Sequence, residues 1–438
     1  MPPTIAVAHY PEGAGHATRM VAIANALRDR GAEVLLAGGG AGTEFVSLHG
    51  YDEFEPTTVD YIDTYQGGSL GQVLARSVPA SARRVSEYVD WLAETDPDAL
   101  VTDDMFAAMA ASRTDVPLYV LKHDVPGLYR DPVERSGARF HTAFQSAVTR
   151  EFFYPAVWPP ADIDPDCATR IPPVSLEARD RRSVGREDDG DEREDDGDER
   201  DRNDGNDRVR DAADVVLVPS HYSDFDRLAT RLEREGHDVL HVGADDWEPV
   251  PSLLPYLRSA DVVVCSGYST VMDAAVAGTP CVVWPETDEQ EAVADQLSRA
   301  DVAGFAVADD ALDVLDAVES PPAATPSDNG ADVVAERVVE DLADVPGSPV
   351  DASSADAQSP VRVADGGRSP ARRRSPAIDG GTGLSLAVRA LLGVGLSVRD
   401  ARSRFAGRAR RTAVSALSGM LAAAVLVQQL VTRDRGRP

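Results

Sequence analysis

Positive charge is scarce in this sequence, and so is cysteine. The 438 residues carry 43 Lys+Arg against 74 Asp+Glu, which gives a formal net charge of -31. A nucleic-acid binder needs a basic face for the phosphates, so this balance argues against that class. The three cysteines, Cys167, Cys265 and Cys281, form no CxxC pair. This spacing argues against a disulfide framework or a zinc site. Cys265 and Cys281 stand beside apolar runs, which predicts that they are small buried hydrophobes.

The start of the chain lacks a secretory signal, because MPPTIAVAHY has neither a basic region nor a long apolar stretch. We therefore expect the N-terminus to stay in the cytoplasm. Lys122 is the only lysine, and arginine supplies the other positive charges. An acid-rich, lysine-poor composition with much valine and alanine is typical of cytosolic proteins of extreme halophiles. On that interpretation the acidity reflects the solvent and says little about partners.

Short apolar runs alternate with amphipathic stretches in two parts of the chain. The first series contains TIAVAHY, AEVLLAG and VPLYVLKHD, and the second contains DVVLVPS, ADVVVCSG and TPCVVWP. Strands that alternate with helices predict βαβ units and a parallel sheet. We predict an α/β protein with two Rossmann-like parallel-sheet domains, 1–176 and 212–343. The cleft between two such domains is the expected place for a ligand.

Two further segments have the composition of chains that do not fold. Residues 177–211 hold 16 acids and 9 arginines with almost no apolar side chains. Such a segment cannot bury enough surface to offset the entropy lost on ordering. We predict a disordered acidic insertion there, and a disordered linker rich in Pro, Ser, Gly and Asp over 344–381.

The end of the chain has the opposite charge. From Arg362 onward there are 15 arginines and 4 acids, and the stretch 412–432 is uncharged for 21 residues. We predict that 382–438 is a basic, helical tail. Its uncharged stretch has the length of a membrane span, but its small and polar residues leave three alternatives: a helix in the membrane interface, a span, or a helix packed on the body. The arginines favour a membrane surface as a partner.

A glycine-rich turn, EGAGH, follows the first predicted strand and precedes a helix. Gly13 and Gly15 would let backbone N–H groups approach a ligand, and the start of a helix favours negative charge. His16 opens that helix, and an imidazole that faces a cleft can accept a proton near neutral pH. The alternative is that EGAGH is only a tight turn.

The longest signal is ADVVVCSGYSTVMDAAVAGTPCVVWPETDEQEAVADQL, residues 260–297. The turn SGYST joins a predicted strand to a helix, where hydroxyls and unpaired helix amides can hold a diphosphate. Asp273 follows one helical turn later, within reach of a ribose. Glu289 and Gln290 can bind sugar hydroxyls; the alternative is that this acidic loop only caps a helix. The predicted diphosphate contacts are Ser266, Gly267, Ser269 and Thr270.

These motifs resemble those of the GT-B glycosyltransferases. The branch they resemble contains the lipid-linked N-acetylglucosaminyltransferase of peptidoglycan synthesis, monogalactosyldiacylglycerol synthase and related archaeal proteins. The segments GAGH (13–16), SGYSTVMDAAVAGTP (266–280) and DEQ (288–290) match the family's turns in order and approximate spacing. The sequence departs from the family at Asp273, where Glu is usual, and in the acidic tract that interrupts the interdomain region.

The resemblance implies roles for residues at the ends of predicted strands. It makes His16 the candidate catalytic base or acceptor-site residue, and Asp103 or Asp104 would orient it or act as the base. Ser220 and His221 would belong to a loop that contacts the diphosphate. Lys122, His123 and Asp124 end the next strand on the same rim as the two aspartates.

The resemblance implies an inverting glycosyltransferase. It would move a sugar from a nucleotide-diphosphate sugar, expected to be UDP-linked, to a hydroxyl or phosphate acceptor on a lipid or glycolipid, with no metal or other cofactor. Retaining members carry two glutamates eight positions apart, whereas Ala294 stands eight positions after Glu286. We expect the protein at the inner face of the cell membrane. Two alternatives stay open: a UDP-sugar 2-epimerase of the same fold, and a non-catalytic nucleotide-sugar-binding membrane subunit.

Overall fold

The computed structural model describes both predicted domains and the connection between them. The described residues are 2–59, 70–130, 132–178, 213–220, 225–244 and 247–344, with only the backbone described at 70–78 and 133–134. The acidic insertion beyond Ala178, the linker beyond Asp344 and the basic tail lie outside these residues. Within the described ranges, no helix has both the length and the apolar character needed to cross a membrane.

The first domain is built around a parallel sheet. Its strands are β1 (Thr4–Ala8), β2 (Glu33–Ala37), β3 (Glu53–Phe54), β4 (Ala99–Thr102), β5 (Leu118–Leu121), β6 (Glu151–Pro155) and β7 (Thr169–Ile171). The helices between them are α1 (Ala14–Asp29), α2 (Thr43–Leu48), α3 (Leu70–Thr95), α4 (Met105–Ala111) and α5 (Pro132–Val148). In the described residues the seven strands are ordered β3-β2-β1-β4-β5-β6-β7.

The second domain repeats this architecture on a smaller scale. Its strands are β8 (Val215–Val218), β9 (Val239–His241), β10 (Val262–Cys265), β11 (Cys281–Val283) and β12 (Phe305–Val307). Its helices are α6 (Asp226–Glu235), α7 (Leu254–Ser259), α8 (Tyr268–Ala277), α9 (Asp288–Arg299) and α10 (Ala311–Glu319), and α11 (Gly330–Ala343) follows. The described strands pair in parallel in the order β12-β11-β10-β8-β9. The prediction of two parallel-sheet α/β domains is confirmed.

Both faces of the central strands are covered, which explains why these strands are continuous apolar runs. Side chains alternate along a strand, so successive residues of one strand enter different cores. In β1, Ile5 and Val7 pack in the core that contains α1, whereas Ala6 and Ala8 pack in the core that contains α4. Cys265, at the end of β10, is fully buried 3.6 Å from the Cys281 sulfur, and both cysteines are free thiols. The expectation of buried cysteines is therefore confirmed.

The last described helix, α11, packs on the first domain although it follows the second domain in the chain. Val334 and Val338 are fully buried in the same core as α1. Asn329 caps α11 by accepting a hydrogen bond from Ala331 N, and its amide donates to the Ser175 carbonyl at 2.7 Å. We predicted 212–343 as one domain. The helix α11 lies within this range but packs on the first domain.

Shortening a buried side chain of α11 should destabilise the protein. We expect Val338→Ala to lower the free energy of unfolding by about 1–3 kcal/mol, because it removes two buried methyl groups and leaves a cavity against α1. Exposed Glu336→Ala on the same helix is the control and should stay within about 0.5 kcal/mol of the wild type. Chemical denaturation at fixed salt measures both. Equal effects of the two substitutions would contradict this packing.

Candidate active site

Each sheet reverses its strand order between two neighbouring strands. Predicted site residues follow those strands in the chain. In the first sheet β1 lies beside β4, and in the second β8 lies beside β10. The chain leaves each pair toward opposite edges of the sheet, and open parallel sheets bind ligands at the carboxyl ends of such strands. His16 lies in the first turn of α1, which follows β1, and Asp103 follows β4 directly. The segments after β8 and β10 carry Ser220 and Ser266.

His16 and Asp103 form a hydrogen-bonded pair in the first domain. His16 Nδ1 lies 2.7 Å from Asp103 Oδ2, and the Tyr10 backbone N–H donates to Asp103 Oδ1 at 2.9 Å. Burial raises the pKa of Asp103, but His16, Arg19 and the Tyr10 amide together lower it by more than burial raises it. The pKa of this carboxyl therefore lies below its ordinary value. An ionised carboxylate only accepts, which places the proton of a neutral imidazole on Nδ1 and leaves Nε2 as the acceptor.

Asp104, the other candidate for the base, points into the core. Its side chain is fully buried. Oδ1 accepts from the Phe106 backbone N–H at 2.7 Å, and Oδ2 accepts from Arg84 Nη2 at 2.8 Å and from the Tyr88 hydroxyl at 3.0 Å. This corrects the expectation that either aspartate could serve the reaction, because Asp104 caps α4 and neutralises a buried arginine.

Glycine has a specific reason at two positions of the EGAGH turn. Gly13 precedes α1 with a φ of 79°, in the left-handed region that favours glycine. Gly15 lies against the second domain, where a Cβ atom would overlap the Ser269 hydroxyl. Gly13 therefore makes a tight turn, as in the alternative interpretation of EGAGH. Gly15 allows the EGAGH and SGYST turns to touch.

The SGYST motif, residues 266–270, joins the end of β10 to the first turn of α8. Ser266 is fully buried, and its Oγ accepts from the Ser220 backbone N–H at 2.9 Å, so the two loops of this sheet are joined. Gly267 is the N-cap of α8 and provides no side-chain cap, and the space beside its Cα is open. Thr270 is buried in the first turn of the helix. The amides of this first turn have no acceptors within the helix.

Gln290 holds the neighbouring loop in place. Its Oε1 accepts from the backbone N–H groups of Glu286 and Thr287, at 2.8 and 3.1 Å, and its Nε2 donates to Ser220 Oγ at 3.0 Å. With Thr287 it forms a capping box at the start of α9. The capping alternative therefore describes the contacts of Gln290 in this structure, and its binding of sugar hydroxyls stays a prediction. Glu289, with a 43% exposed side chain, lies 4.0 Å from His123 Nε2.

Asp273 faces the connection between the domains. Its Oδ1 accepts from the Ser175 hydroxyl at 2.5 Å. Burial raises the pKa of Asp273 to about 6, with Ser175 and Arg19 acting in the opposite direction. A carboxyl with such a pKa and a hydroxyl partner is suited to exchange hydrogen bonds with another hydroxyl group.

Sequence reasoning missed the side chain that joins the two turns, Arg19. Its Nη1 donates to Ser269 Oγ at 2.6 Å, and its Nη2 lies 3.3 Å from His123 Nδ1. The ring of His123 lies 5.3 Å from that of His16 and 4.8 Å from that of Tyr268. A signal was present, because Arg19 follows His16 by three positions, and such residues share one face of a helix.

Two further predictions concern a diphosphate contact at His221 and a reaction without a metal. His221, predicted to contact the diphosphate, lies outside the described residues. In the part of the chain that is described, no three His, Cys, Asp or Glu side chains are grouped so that they could hold a metal ion.

No known family model matches the chain, and no curated protein matches it in sequence. Several solved structures are similar. One is the glycosyltransferase SsfS6 of Streptomyces sp. SF2575 with thymidine diphosphate, at a TM-score of 0.49 and 17% identity over 77% of this chain and 99% of that one. Another is SnogD from Streptomyces nogalater, a glycosyltransferase, at 0.48 and 17% over 78% and 99%. A third is spinosyn rhamnosyltransferase SpnG with thymidine diphosphate, at 0.46 and 17% over 78% and 100%. Likenesses of this size do not define an activity for this chain.

The correction at Asp104 can be tested through its partner. We expect Arg84→Met to lower the free energy of unfolding by about 3–5 kcal/mol, because it leaves a buried carboxylate unpaired. The neighbouring Arg83, whose side chain is 73% exposed and pairs with Glu87, is the matched control. Arg83→Met should cost at most about 1 kcal/mol. Adding Asp104→Asn to Arg84→Met should recover part of the loss, as judged by chemical denaturation. No recovery would indicate that the charge is not the cause.

Proposed function

We propose that this protein is an inverting glycosyltransferase of the GT-B class that uses a nucleotide-diphosphate sugar. The observation that supports the proposal is the contact between its two turns. The His16–Asp103 pair of the first domain lies beside the start of α8 in the second, and Arg19 joins them through Ser269 at 2.6 Å. Sugar transfer from a diphosphate needs a base for the acceptor and a site for the departing anion, and these two features lie side by side.

In the proposed reaction His16 Nε2 accepts the proton of an acceptor hydroxyl while that oxygen attacks the anomeric carbon. The bond from this carbon to the diphosphate oxygen breaks, and its electron pair leaves with the nucleoside diphosphate. Asp103 holds Nδ1–H at 2.7 Å, which fixes the tautomer and stabilises the imidazolium that forms. Attack opposite the leaving group inverts the configuration, in agreement with the missing pair of glutamates that retaining members carry.

The second domain is proposed to bind the donor. The amides of the first turn of α8 and the open space beside Gly267 are suited to a diphosphate. Asp273 would exchange its bond to Ser175 for one to a ribose hydroxyl. Ser220 and Ser266 would support this loop, because each is already bonded to its neighbours. That the nucleotide is UDP rests on the resemblance.

The acceptor is proposed to be a lipid-linked or glycolipid molecule at the inner face of the cell membrane. This rests on the branch that the motifs resemble and on the basic, apolar composition of 382–438. In this proposal the tail keeps the protein at the surface where its acceptor lies, with its apolar stretches in the membrane interface and its arginines in direct contact with anionic headgroups, within a Debye length of them.

The proposal is tested with radiolabelled UDP-sugars and a native lipid extract at multimolar salt. Labelled lipid supports transfer. Interconverted free sugar nucleotide would instead identify the epimerase, and binding of UDP-sugar without either product would identify a non-catalytic subunit. Both of the latter outcomes contradict the proposal.

His16→Ala should lower the transfer rate in this assay by about 10²–10⁴-fold, because the general base is lost. It should leave UDP binding unchanged, because His16 Nε2 is proposed to contact the acceptor hydroxyl and not the diphosphate. His237→Ala is the control, since His237 pairs with Glu319 on the second domain, away from the turns. Calorimetry measures UDP binding. If His16→Ala weakened UDP binding as much as Asp273→Ala does, the assignment of His16 would be wrong.

Removal of residues 382–438 should shift the protein from the membrane fraction to the soluble fraction of lysed cells. The physical reason is the loss of both apolar stretches and of the arginines between them. Fractionation at multimolar salt followed by immunoblotting measures the distribution. The distribution of the shortened chain should not depend on whether lipid vesicles are added. An unchanged membrane fraction would contradict the role given to the tail.

A further inference from the structure

Arg19 is a cation enclosed between the two domains. Its side chain is 4% exposed, and its guanidinium lies 5.9 Å from the centre of the Tyr268 ring. Nη1 donates to Ser269 Oγ and Nη2 to His123 Nδ1. Burial, and then the charge of Arg19, hold the pKa of His123 well below its usual range, so the imidazole is neutral and its Nδ1 accepts. Neither of these two bonds brings a negative charge to Arg19.

The charge of Arg19 is only partly balanced. Among the described residues, the carboxylate that pairs with it is Asp103, whose Oδ2 lies 3.7 Å from Nη2. The same oxygen makes the much shorter 2.7 Å contact with His16 Nδ1. Arg19 Nε is buried and has no hydrogen-bond partner in the described part of the chain. The charge of Arg19 also acts on the Asp273 carboxyl, but that carboxyl accepts its hydrogen bond from Ser175. A buried arginine that shares the carboxylate at ion-pair distance with His16 and has an unused donor is suited to receive an additional anion.

Arg19 also points to a place that favours an anion. Its partner Ser269 lies in the first turn of α8, a helix of ten residues whose N-cap, Gly267, contributes no side-chain cap. The first amides of a helix and its dipole both attract negative charge. The open space beside Gly267 leaves room for approach. The arginine and the helix start therefore converge from different domains.

We propose that Arg19 binds the diphosphate of the donor, reaching it from the acceptor-side domain. The guanidinium would exchange Ser269 Oγ for phosphate oxygens, so the ligand replaces a neutral partner with an anionic one. The binding site for the diphosphate is then completed only when both domains are in contact, which places the anomeric carbon beside His16. This inference rests on the proposed function and adds a residue to it that the motifs do not include.

The discriminating measurement compares UDP with UMP, because the two ligands differ by the phosphate that Arg19 is proposed to bind. Calorimetry on the full-length protein at fixed, high salt should show tighter binding of UDP by the wild type. Arg19→Gln should weaken UDP binding by about 10- to 100-fold, as expected for a hydrogen bond to a charged group. Binding of UMP should change less than about 2-fold, within the spread expected for a residue that does not touch the ligand.

Arg28→Gln is the matched control on the same helix. Arg28 stacks on the Tyr51 ring at 4.4 Å and bonds to Asn25, away from the turns, so its removal should leave the ratio of UDP to UMP affinity unchanged. Arg19→Lys is a second variant for the case that Arg19→Gln does not fold, because lysine keeps the buried positive charge. It should also reduce the ratio, because an ammonium cannot donate in the planar, two-pronged manner of a guanidinium.

The outcomes separate this inference from the proposed function. If the wild type binds neither UDP nor another nucleoside diphosphate, the proposed function fails. If it binds UDP but the Arg19 variants keep the wild-type ratio of UDP to UMP affinity, the role of Arg19 is overturned and the proposed function stands. If inorganic phosphate binds as tightly as UDP and depends equally on Arg19, the site is a simple anion site and the assignment to a diphosphate is overturned.

Discussion

The carboxylate of Asp103 is the contact on which the candidate site depends. One oxygen accepts from the Tyr10 amide and fixes the turn after β1, and the other contacts His16 and faces Arg19. Both β1 and β4 therefore end on the same group. The arrangement is stable only while the carboxyl is ionised, since burial alone would favour its neutral form. The contact with His16, the nearby Arg19 guanidinium and the Tyr10 amide together keep the pKa of Asp103 low.

The neighbouring aspartates 103 and 104 show what the sequence could predict and what it could not. Acidic residues directly after a buried strand were recognisable, and so was their position at the edge of the sheet. Their directions depend on distant side chains. Asp104 turns inward because Arg84, on the preceding helix, is buried beside it, whereas Asp103 turns toward His16. No local pattern distinguishes the two, because both partners are brought there by tertiary packing.

The fold was predictable to the extent that each strand is an apolar run followed by an amphipathic helix. Burial on both sides makes β10 apolar throughout and β4 apolar up to Thr102, so their apolar runs and their length are sufficient to identify them. The packing of α11 was not predictable in this way. Its apolar face indicates that it packs on a sheet but not on which one, and chain order favours the wrong domain. The bonds between Asn329 and Ser175 help to direct it to the first domain.

Net charge poses a physical problem for the proposed diphosphate site, because this chain carries -31 and the proposed ligand is also an anion. At the salt concentrations for which such a composition is typical, the Debye length is about 3 Å, so the surface acids have almost no effect at a distance. The same screening prevents surface arginines from attracting the ligand. Only cations shielded from the solvent keep their effect, and these must be held in place by buried partners. Arg19, enclosed between two domains and held by Ser269 and His123, has these properties. An acidic surface is therefore compatible with anion binding at a buried arginine. Concentrated salt screens the repulsion from the surface acids, whereas Arg19 would act on the anion by direct contact.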